Sequence, residues 1–469
     1  MTEHRGASGP TMPAAPELPP EGAPRILIDS SEYWLRNMGD LAMLDVTIRR
    51  LRNRWPRGRI GVLTETPALL RAYFPGVDAI EPWATSAWRP AGRPARSAEL
   101  LGPRVVGPYD LLRLAAGVRL RRMARAARRR GEQRLRPLTA RLRPGSSGSD
   151  PWPDDGAAST TPVPPQELAP NTRRAVAASS LVLALGGGYV TDADPHQAAR
   201  VLALLGHARH HGVPAAMLGQ GIGPLEDPRL LSRASGVLPE VDLIALRERR
   251  NGPALLRRIG VPSSRVLVTG DDAIELAYSQ RPDELGRDLG VCLRVAGYSP
   301  VSVGARRAVG TGLRAAAREL DVDLTPVIIS EFRSEDRRST LPLVEGYEHA
   351  RRPLGRFARP QDVARRVGTC RVMVTGAYHA GVFALSQGIP VVALTSSAYY
   401  DDKFLGLADM FGDGIDLVRL GDDDLPERLR LAITRAWSRA PSVGPTLVAS
   451  AVEQIELSRA AFRRICDLV

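Results

Sequence analysis

Short runs of Val, Ile and Leu alternate with segments of helical periodicity along most of this chain. That alternation constrains the fold more than any other feature. Strands separated by helices of about ten to fifteen residues pair in parallel, because each helix carries the chain back across the sheet before the next strand begins. Near-continuous apolar strands also fit burial on both faces. The rhythm predicts strands over 26–29, 60–64, 181–185, 215–218, 243–246 and 266–269, with helices over 40–51, 196–210, 228–237 and 252–259. A second series starts near Gly290, with strands over 291–295, 324–329, 372–375 and 391–394 and helices over 301–320, 361–367, 379–387 and 403–410. The polar stretch 279–287 separates the two series, and 444–465 has the pattern of a long helix.

The expectation is an α/β protein of two Rossmann-like domains facing a cleft, the first over 25–279, the second over 288–443, with a C-terminal helix over 444–469. A length of 469 residues agrees with two domains and tails. Residues 1–24, rich in Pro, Ala, Gly and Glu and lacking an apolar leader core, are expected to be a disordered tail.

The segment from about 84 to 173 breaks the rhythm. It is too long for a simple connection inside a compact domain, and forms an insertion in the first one. Residues 81–150 hold sixteen Arg against five Asp or Glu, a net +11 in a chain of net +13. The charge therefore belongs to one segment and not to the fold's working surface, which argues against nucleic-acid binding. Leu112, Ala116, Leu120, Met123 and Ala127 recur at helical spacing among these arginines. Such a basic amphipathic helix either makes peripheral contact with an anionic membrane or packs loosely on the domain. Residues 144–170 are expected to be a flexible loop. No apolar stretch approaches the ~18 residues of a membrane span. Cys292, Cys370 and Cys466 are too scattered for a disulfide framework or a zinc pattern, so cytoplasmic residence is expected.

Candidate site residues cluster at the expected C-terminal ends of strands, where open parallel sheets bind ligands. Asn37-Met38-Gly39-Asp40 opens the first helix, where Gly39 permits close approach and Asp40 is either a ligand group or a first-turn acid. Gly186-Gly187-Gly188 follows its strand, where the glycines let something come close to the backbone or else form a tight turn. Gly219-Gln220-Gly221-Ile222-Gly223-Pro224 is expected as a loop whose N–H groups and Gln220 face a polar ligand. Neither has the spacing of a dinucleotide or nucleoside triphosphate loop. Arg247 follows one strand and Asp271-Asp272 another, with the aspartates able to act as base or as helix cap. The densest constellation is Tyr378-His379, Gly388-Ile389-Pro390 and Tyr399-Tyr400, with Lys403, the only lysine among 64 basic residues. His379 sits where a helix start gathers anions, and Tyr400 and Lys403 follow the next strand on the same sheet edge. His207, His210 and His211 have no carboxylate at metal spacing, and no metal is expected.

In this order, the motifs resemble the polysaccharide pyruvyl transferase family over roughly 25–80 and 178–412. The resemblance implies a fold similar to the GT-B glycosyltransferases. It implies transfer of a pyruvyl group from phosphoenolpyruvate, as co-substrate and without other cofactor, to two hydroxyls of a sugar or glycan acceptor. His379 is then the general acid, Asp271 or Asp272 takes a hydroxyl proton, and Arg247, Arg294, Tyr400 and Lys403 hold the donor. Asn37, Gly39, Asp40, Gly187, Gly188, Gln220, Gly221 and Gly223 would line the cleft for the acceptor. Ala377 stands where the family usually carries an arginine, which leaves Arg294 or Lys403 to cover that charge. The alternatives are a glycosyltransferase of the same architecture using a nucleotide sugar, and a non-catalytic subunit of a glycan assembly pathway.

Overall fold

The computed structural model describes residues 23–30, 33–88, 93–113, 116, 168–297, 299–331 and 336–469. Among the described residues, twelve strands form two parallel sheets. The first contains β1 (Arg25–Asp29), β2 (Arg59–Leu63), β3 (Asp78–Ile80), β4 (Leu181–Val190), β5 (Ala215–Ile222), β6 (Leu243–Leu246) and β7 (Val266–Val268). The second contains β8 (Asp288–Cys292), β9 (Leu324–Pro326), β10 (Cys370–Thr375), β11 (Val391–Thr395) and β12 (Ile415–Arg419). The short strands β3 and β12 lie at sheet edges and were not foreseen.

The strand orders locate the ligand crevice. The first sheet runs β3-β2-β1-β4-β5-β6-β7 and the second β12-β11-β10-β8-β9. In each, the chain starts in the interior, builds toward one edge and then returns to build toward the other. The reversal leaves a crevice between β1 and β4 in the first sheet and between β8 and β10 in the second, where connecting helices diverge to opposite faces.

Alternation along the strands divides the core. Ile26 and Ile28 face one side of the first sheet and Leu27 the other. The cluster containing Ile26 runs without a break into the second domain, taking in Phe383, Phe404 and Phe411, all fully buried. The two domains thus share apolar packing. Helix Leu425–Cys466 strengthens the join, beginning nearer the second sheet's core and ending with Ser458 bonded to Asp272 and Arg464 to the Ser264 carbonyl at 3.0 Å. It starts well before the expected residue 444, because Pro441 and Pro445 are accommodated inside it.

Two glycine motifs were misplaced. Gly186, Gly187 and Gly188 belong to β4, and Gly219, Gln220 and Gly221 to β5. The strands continue past their apolar runs because they pair with each other, Gly187 opposite Gln220 and Val190 opposite Ile222. A side chain at Gly186 would collide with the Gly219 carbonyl, so the glycines permit close strand packing.

Of the insertion, helix Arg93–Leu101 and the helical stretch 103–113 are described. Arg104 reaches the second domain at Asp362, 3.0 Å away, and Gly107 leaves room for Phe357. Leu120, Met123 and Ala127, residues 144–167 and the N-terminal 22 residues lie outside the described residues. Among those described, no helix is long and apolar enough to cross a membrane.

Candidate active site

Both crevices open onto one cavity of about 150 Å³, lined by Asn37, Gly187, Gly188, Tyr189, Ala193, Asp194, Arg247, Arg294, Tyr378, His379, Tyr399, Tyr400 and Lys403. Asn37 and Gly188 come from the β1–β4 reversal, Arg294 and His379 from the β8–β10 reversal. Two helix starts meet there. Helix Met38–Arg54 is capped by Asn37, whose side-chain oxygen accepts from the Gly39 N–H at 3.0 Å. Helix Tyr378–Leu385 begins one residue before His379. A methyl group at Gly39 would occupy the imidazole of His379. Gly39 is therefore required by a side chain of the other domain.

His379 is buried, with Nε2 3.6 Å from the Asp271 carboxylate. The same oxygen, Oδ2, lies 3.6 Å from Arg247, whose guanidinium stacks 4.1 Å from the Tyr378 ring centre. Oδ1 of Asp271 accepts the Ala273 N–H at 2.9 Å. Burial would raise the Asp271 carboxyl, but the His379 and Arg247 charges and the Ala273 N–H outweigh it and hold it below the usual range. Gly221 is small because Arg247 lies against it. Burial opposes the Arg247 charge, and the electron-rich surroundings of Tyr378, Asp271 and Tyr399 more than restore it.

Arg294, two residues beyond β8, is held by Asp336 in a two-pronged pair, Nε to Oδ1 at 2.5 Å and Nη2 to Oδ2 at 2.9 Å. Asp336 is fully buried and also accepts the N–H groups of Ile329 and Ser330 at 3.2 and 2.7 Å. The backbone around Ile329 in turn touches the first domain. Met38 N–H donates to the Ile329 carbonyl at 2.8 Å, and Glu331 N–H to the Arg36 carbonyl at 3.0 Å. Lys403 lies 4.2 Å from the Tyr399 ring centre and 5.1 Å from that of Tyr400. Burial pushes its ammonium well below the ordinary lysine value, Arg247 and Arg294 push the same way, and Asp40 opposes them. Asp40 itself accepts the Tyr189 hydroxyl at 2.5 Å.

Arg247, Arg294, His379, Tyr400 and Lys403 thus share one cavity, together with Asn37, Gly187 and Gly188. Gly39, beneath His379, and Asp40, bonded to Tyr189, do not line it, and three further expectations fail. Asp272 turns away from the cavity to Ser458 at 2.5 Å and Arg50 at 3.3 Å, because adjacent residues at a helix start diverge. Gln220 does not face a ligand; its amide donates to the Ala184 carbonyl at 2.9 Å and ties β5 to β4. Asp271 does not line the cavity but stands behind His379 and Arg247, so it is placed to orient them and not to meet a substrate hydroxyl. Gly221 and Gly223 line a neighbouring hollow with Arg247 and Lys403.

Sequence reasoning missed Asp336, Tyr189 and Asp194. Asp336 carried only the signal of an acid opening a helix, and Asp194 that of a helix cap, which it is, accepting the Gln197 N–H at 3.1 Å. Tyr189 follows the glycines directly, but nothing local distinguishes it from a core aromatic. Among the described residues, no group of His, Cys, Asp and Glu is arranged to hold a metal ion.

Among solved structures, the chain is similar to a putative UDP-N-acetylglucosamine 2-epimerase from Listeria monocytogenes, with a TM-score of 0.53 at 10% identity over 94% of this chain and 95% of that one. It is also similar to the UDP-GlcNAc 2-epimerase from Neisseria meningitidis bound to UDP-GlcNAc (TM-score 0.49, 10% identity, 94% and 100% covered). The glycotransferase of kitacinnamycin scores 0.47 at 12% identity, with 95% and 99% covered. At these identities the first likeness bears on the fold alone, and it agrees with two Rossmann-like domains of the GT-B kind. No curated protein sequence matches the chain. The sequence profile of the polysaccharide pyruvyl transferase family matches residues 37–397. That span runs from the cap of the first helix past His379 to the start of the helix carrying Lys403, and with it the chain belongs to the polysaccharide pyruvyl transferase family.

Proposed function

We propose that this protein transfers a pyruvyl group from phosphoenolpyruvate to two hydroxyls of a sugar, in a polysaccharide or a glycosylated metabolite, forming a cyclic ketal. The observation that carries this reading is the convergence of Arg247, Arg294 and Lys403 around His379 in one small cavity. A donor with a carboxylate and a phosphate needs two cationic anchors, and the two arginines supply permanent positive charges for them. His379 acts as general acid toward the methylene carbon, and Asp271 behind it keeps the ring oriented. The charge that the family usually carries at position 377 is supplied here from other strands, since Ala377 is fully buried while Arg247 and Arg294 face the cavity. No metal enters this scheme.

The wall formed by Asn37, Tyr189 and Asp194 has hydrogen-bonding side chains without cations, which suits an acceptor sugar. The test is phosphate release from phosphoenolpyruvate in the presence of candidate glycan acceptors. Release that depends on acceptor and drops by about 10²–10⁴-fold in H379N supports the reading. Turnover of a nucleotide sugar, with none of phosphoenolpyruvate, would establish a glycosyltransferase instead.

A further inference from the structure

Asp272 turns away and Asp271 stands behind His379, so the residue that takes the acceptor's proton lies elsewhere in the cavity. We propose that Lys403 is this proton-transfer residue, acting as base toward the first hydroxyl and then as acid toward the leaving phosphate, and not as a fixed anchor for the donor. The inference rests on the pyruvyl-transfer reading given above.

The first observation is chemical. Every other basic residue in the chain is arginine, 63 of 64, so this protein uses arginine wherever it needs only a positive charge. Arginine cannot release its proton in a protein, whereas lysine can. The single lysine lines the candidate active cavity together with two guanidinium groups. A third permanent cation would add little to gripping a small anion. A group able to exist neutral between two arginines adds a new capability.

The second observation is geometric. The stem of Lys403 runs past the Tyr399 and Tyr400 rings, and a side chain at Gly188 would press on its Nζ, so its head is confined to the cavity. The groups around it are Arg247 beyond β6, Arg294 beyond β8, Tyr378 and His379 at their helix start, Asp40 with its partner Tyr189, Asp194 on the cavity wall, Glu248 and Asp402 in the adjoining hollow, and Tyr399 and Tyr400 on its own helix. Two of these are fixed positive charges, and the acid that acts on the ammonium, Asp40, is already bonded to a tyrosine. Burial and the arginines both favour the neutral amine, in keeping with a base that is ready before the substrates arrive.

The protons then balance. In the first half, the hydroxyl oxygen bonds to the central carbon of the enol ester as its proton passes to Nζ of Lys403. The electron pair of the carbon–carbon double bond takes the proton of His379 at the methylene carbon, making a methyl group. In the second half, the carbon–oxygen bond to phosphate breaks, and the departing phosphate oxygen takes the bond pair and the proton of the Lys403 ammonium. The second hydroxyl bonds to the same carbon and gives its proton to His379. Both residues end as they began, one hydroxyl proton resides on the methyl group and the other on phosphate, and nothing is oxidised.

The test compares K403R and K403C with the wild-type enzyme, using phosphate release and calorimetric binding of phosphoenolpyruvate. A proton-transfer role predicts that K403R binds phosphoenolpyruvate with near wild-type affinity while kcat falls by about 10²-fold or more. Since the active form of the base is neutral, wild-type kcat/KM rises with pH through the Lys403 ionisation, and K403R loses that limb. Alkylating K403C with 2-bromoethylamine rebuilds an amine of similar length and restores turnover; Cys292, Cys370 and Cys466 are all buried, which directs the reagent to position 403. A K403R enzyme that binds donor and keeps wild-type kcat overturns the assignment, as does a loss confined to donor KM. Failure of the wild-type enzyme to release phosphate from phosphoenolpyruvate with any acceptor overturns the transfer reading and this inference together.

Discussion

Two arginine–aspartate pairs face the same cavity from opposite domains, and they are built differently. In the second domain, Asp336 holds Arg294 with both oxygens at 2.5 and 2.9 Å and accepts two backbone N–H groups besides. In the first, one oxygen of Asp271 is shared between Arg247 and His379 at 3.6 Å each, while the other caps a helix. The first arrangement is saturated. A buried carboxylate with so many donors fixes its arginine, and removing it strands a buried cation. The second arrangement is poised. An oxygen divided between a permanent cation and an imidazole can follow a change in the charge of the imidazole. The difference suits an anchor on one side of the cavity and a proton-handling group on the other.

The largest expected effect that would break this comparison is in D336A. It should lower unfolding free energy by about 3–5 kcal/mol, seen in chemical denaturation, with donor affinity falling in the protein that remains folded. If D336A were as stable as wild type, Arg294 would not be held as described. On the other side, G39A should cost about 10²-fold in kcat with modest loss of stability, because the added methyl displaces His379 from its productive position. Unchanged kcat in G39A would show that the imidazole need not sit there.

D271N sharpens the contrast further. It should reduce kcat about 10–100-fold, the range typical when an outer partner of a functional histidine is lost, while affecting donor affinity less than R294A. Its pH signature has a definite sign. The folded state holds the Asp271 carboxyl below its ordinary value, burial opposing and the His379 and Arg247 charges prevailing. The stability it contributes is therefore present above the unfolded value of about 3.9 and lost as pH falls through the folded one. Acid titration of stability in D271N should lack that component. The smallest effect belongs to the adjacent residue. Asp272 has its carboxyl raised by burial, with Arg50 and Ser458 opposing, and does not reach the cavity. D272N should keep wild-type kcat, and a loss comparable to that of D271N would merge the two roles again.

The sequence carried much of the fold and an uneven share of the site. Strand and helix periodicity, a property of neighbouring residues, was enough for ten of the twelve strands among the described residues and for a cleft between two α/β domains. Arg247, His379 and Lys403, expected just after strands, do converge, and Arg294, expected within the strand 291–295, joins them because β8 ends at Cys292; parallel sheets send strand ends to one side. The glycine motifs were misread because continuing a strand depends on its neighbour, and β4 and β5 extend together. Asp336 was invisible because its partner, Arg294, is forty-two residues away.

By itself, then, the sequence determined the two-sheet architecture, the order of the motifs and the residue types available for chemistry. Only the tertiary structure decided which of them meet. Strand order places the two chain reversals opposite each other, and side-chain direction at a helix start sends Asp271 toward His379 and Asp272 toward Ser458. Packing between domains set Gly39 beneath the imidazole. Periodicity is local and survives in one dimension. Juxtaposition across a hundred or more residues depends on how sheets and helices bury one another, and it cannot be expressed in a pattern of neighbours.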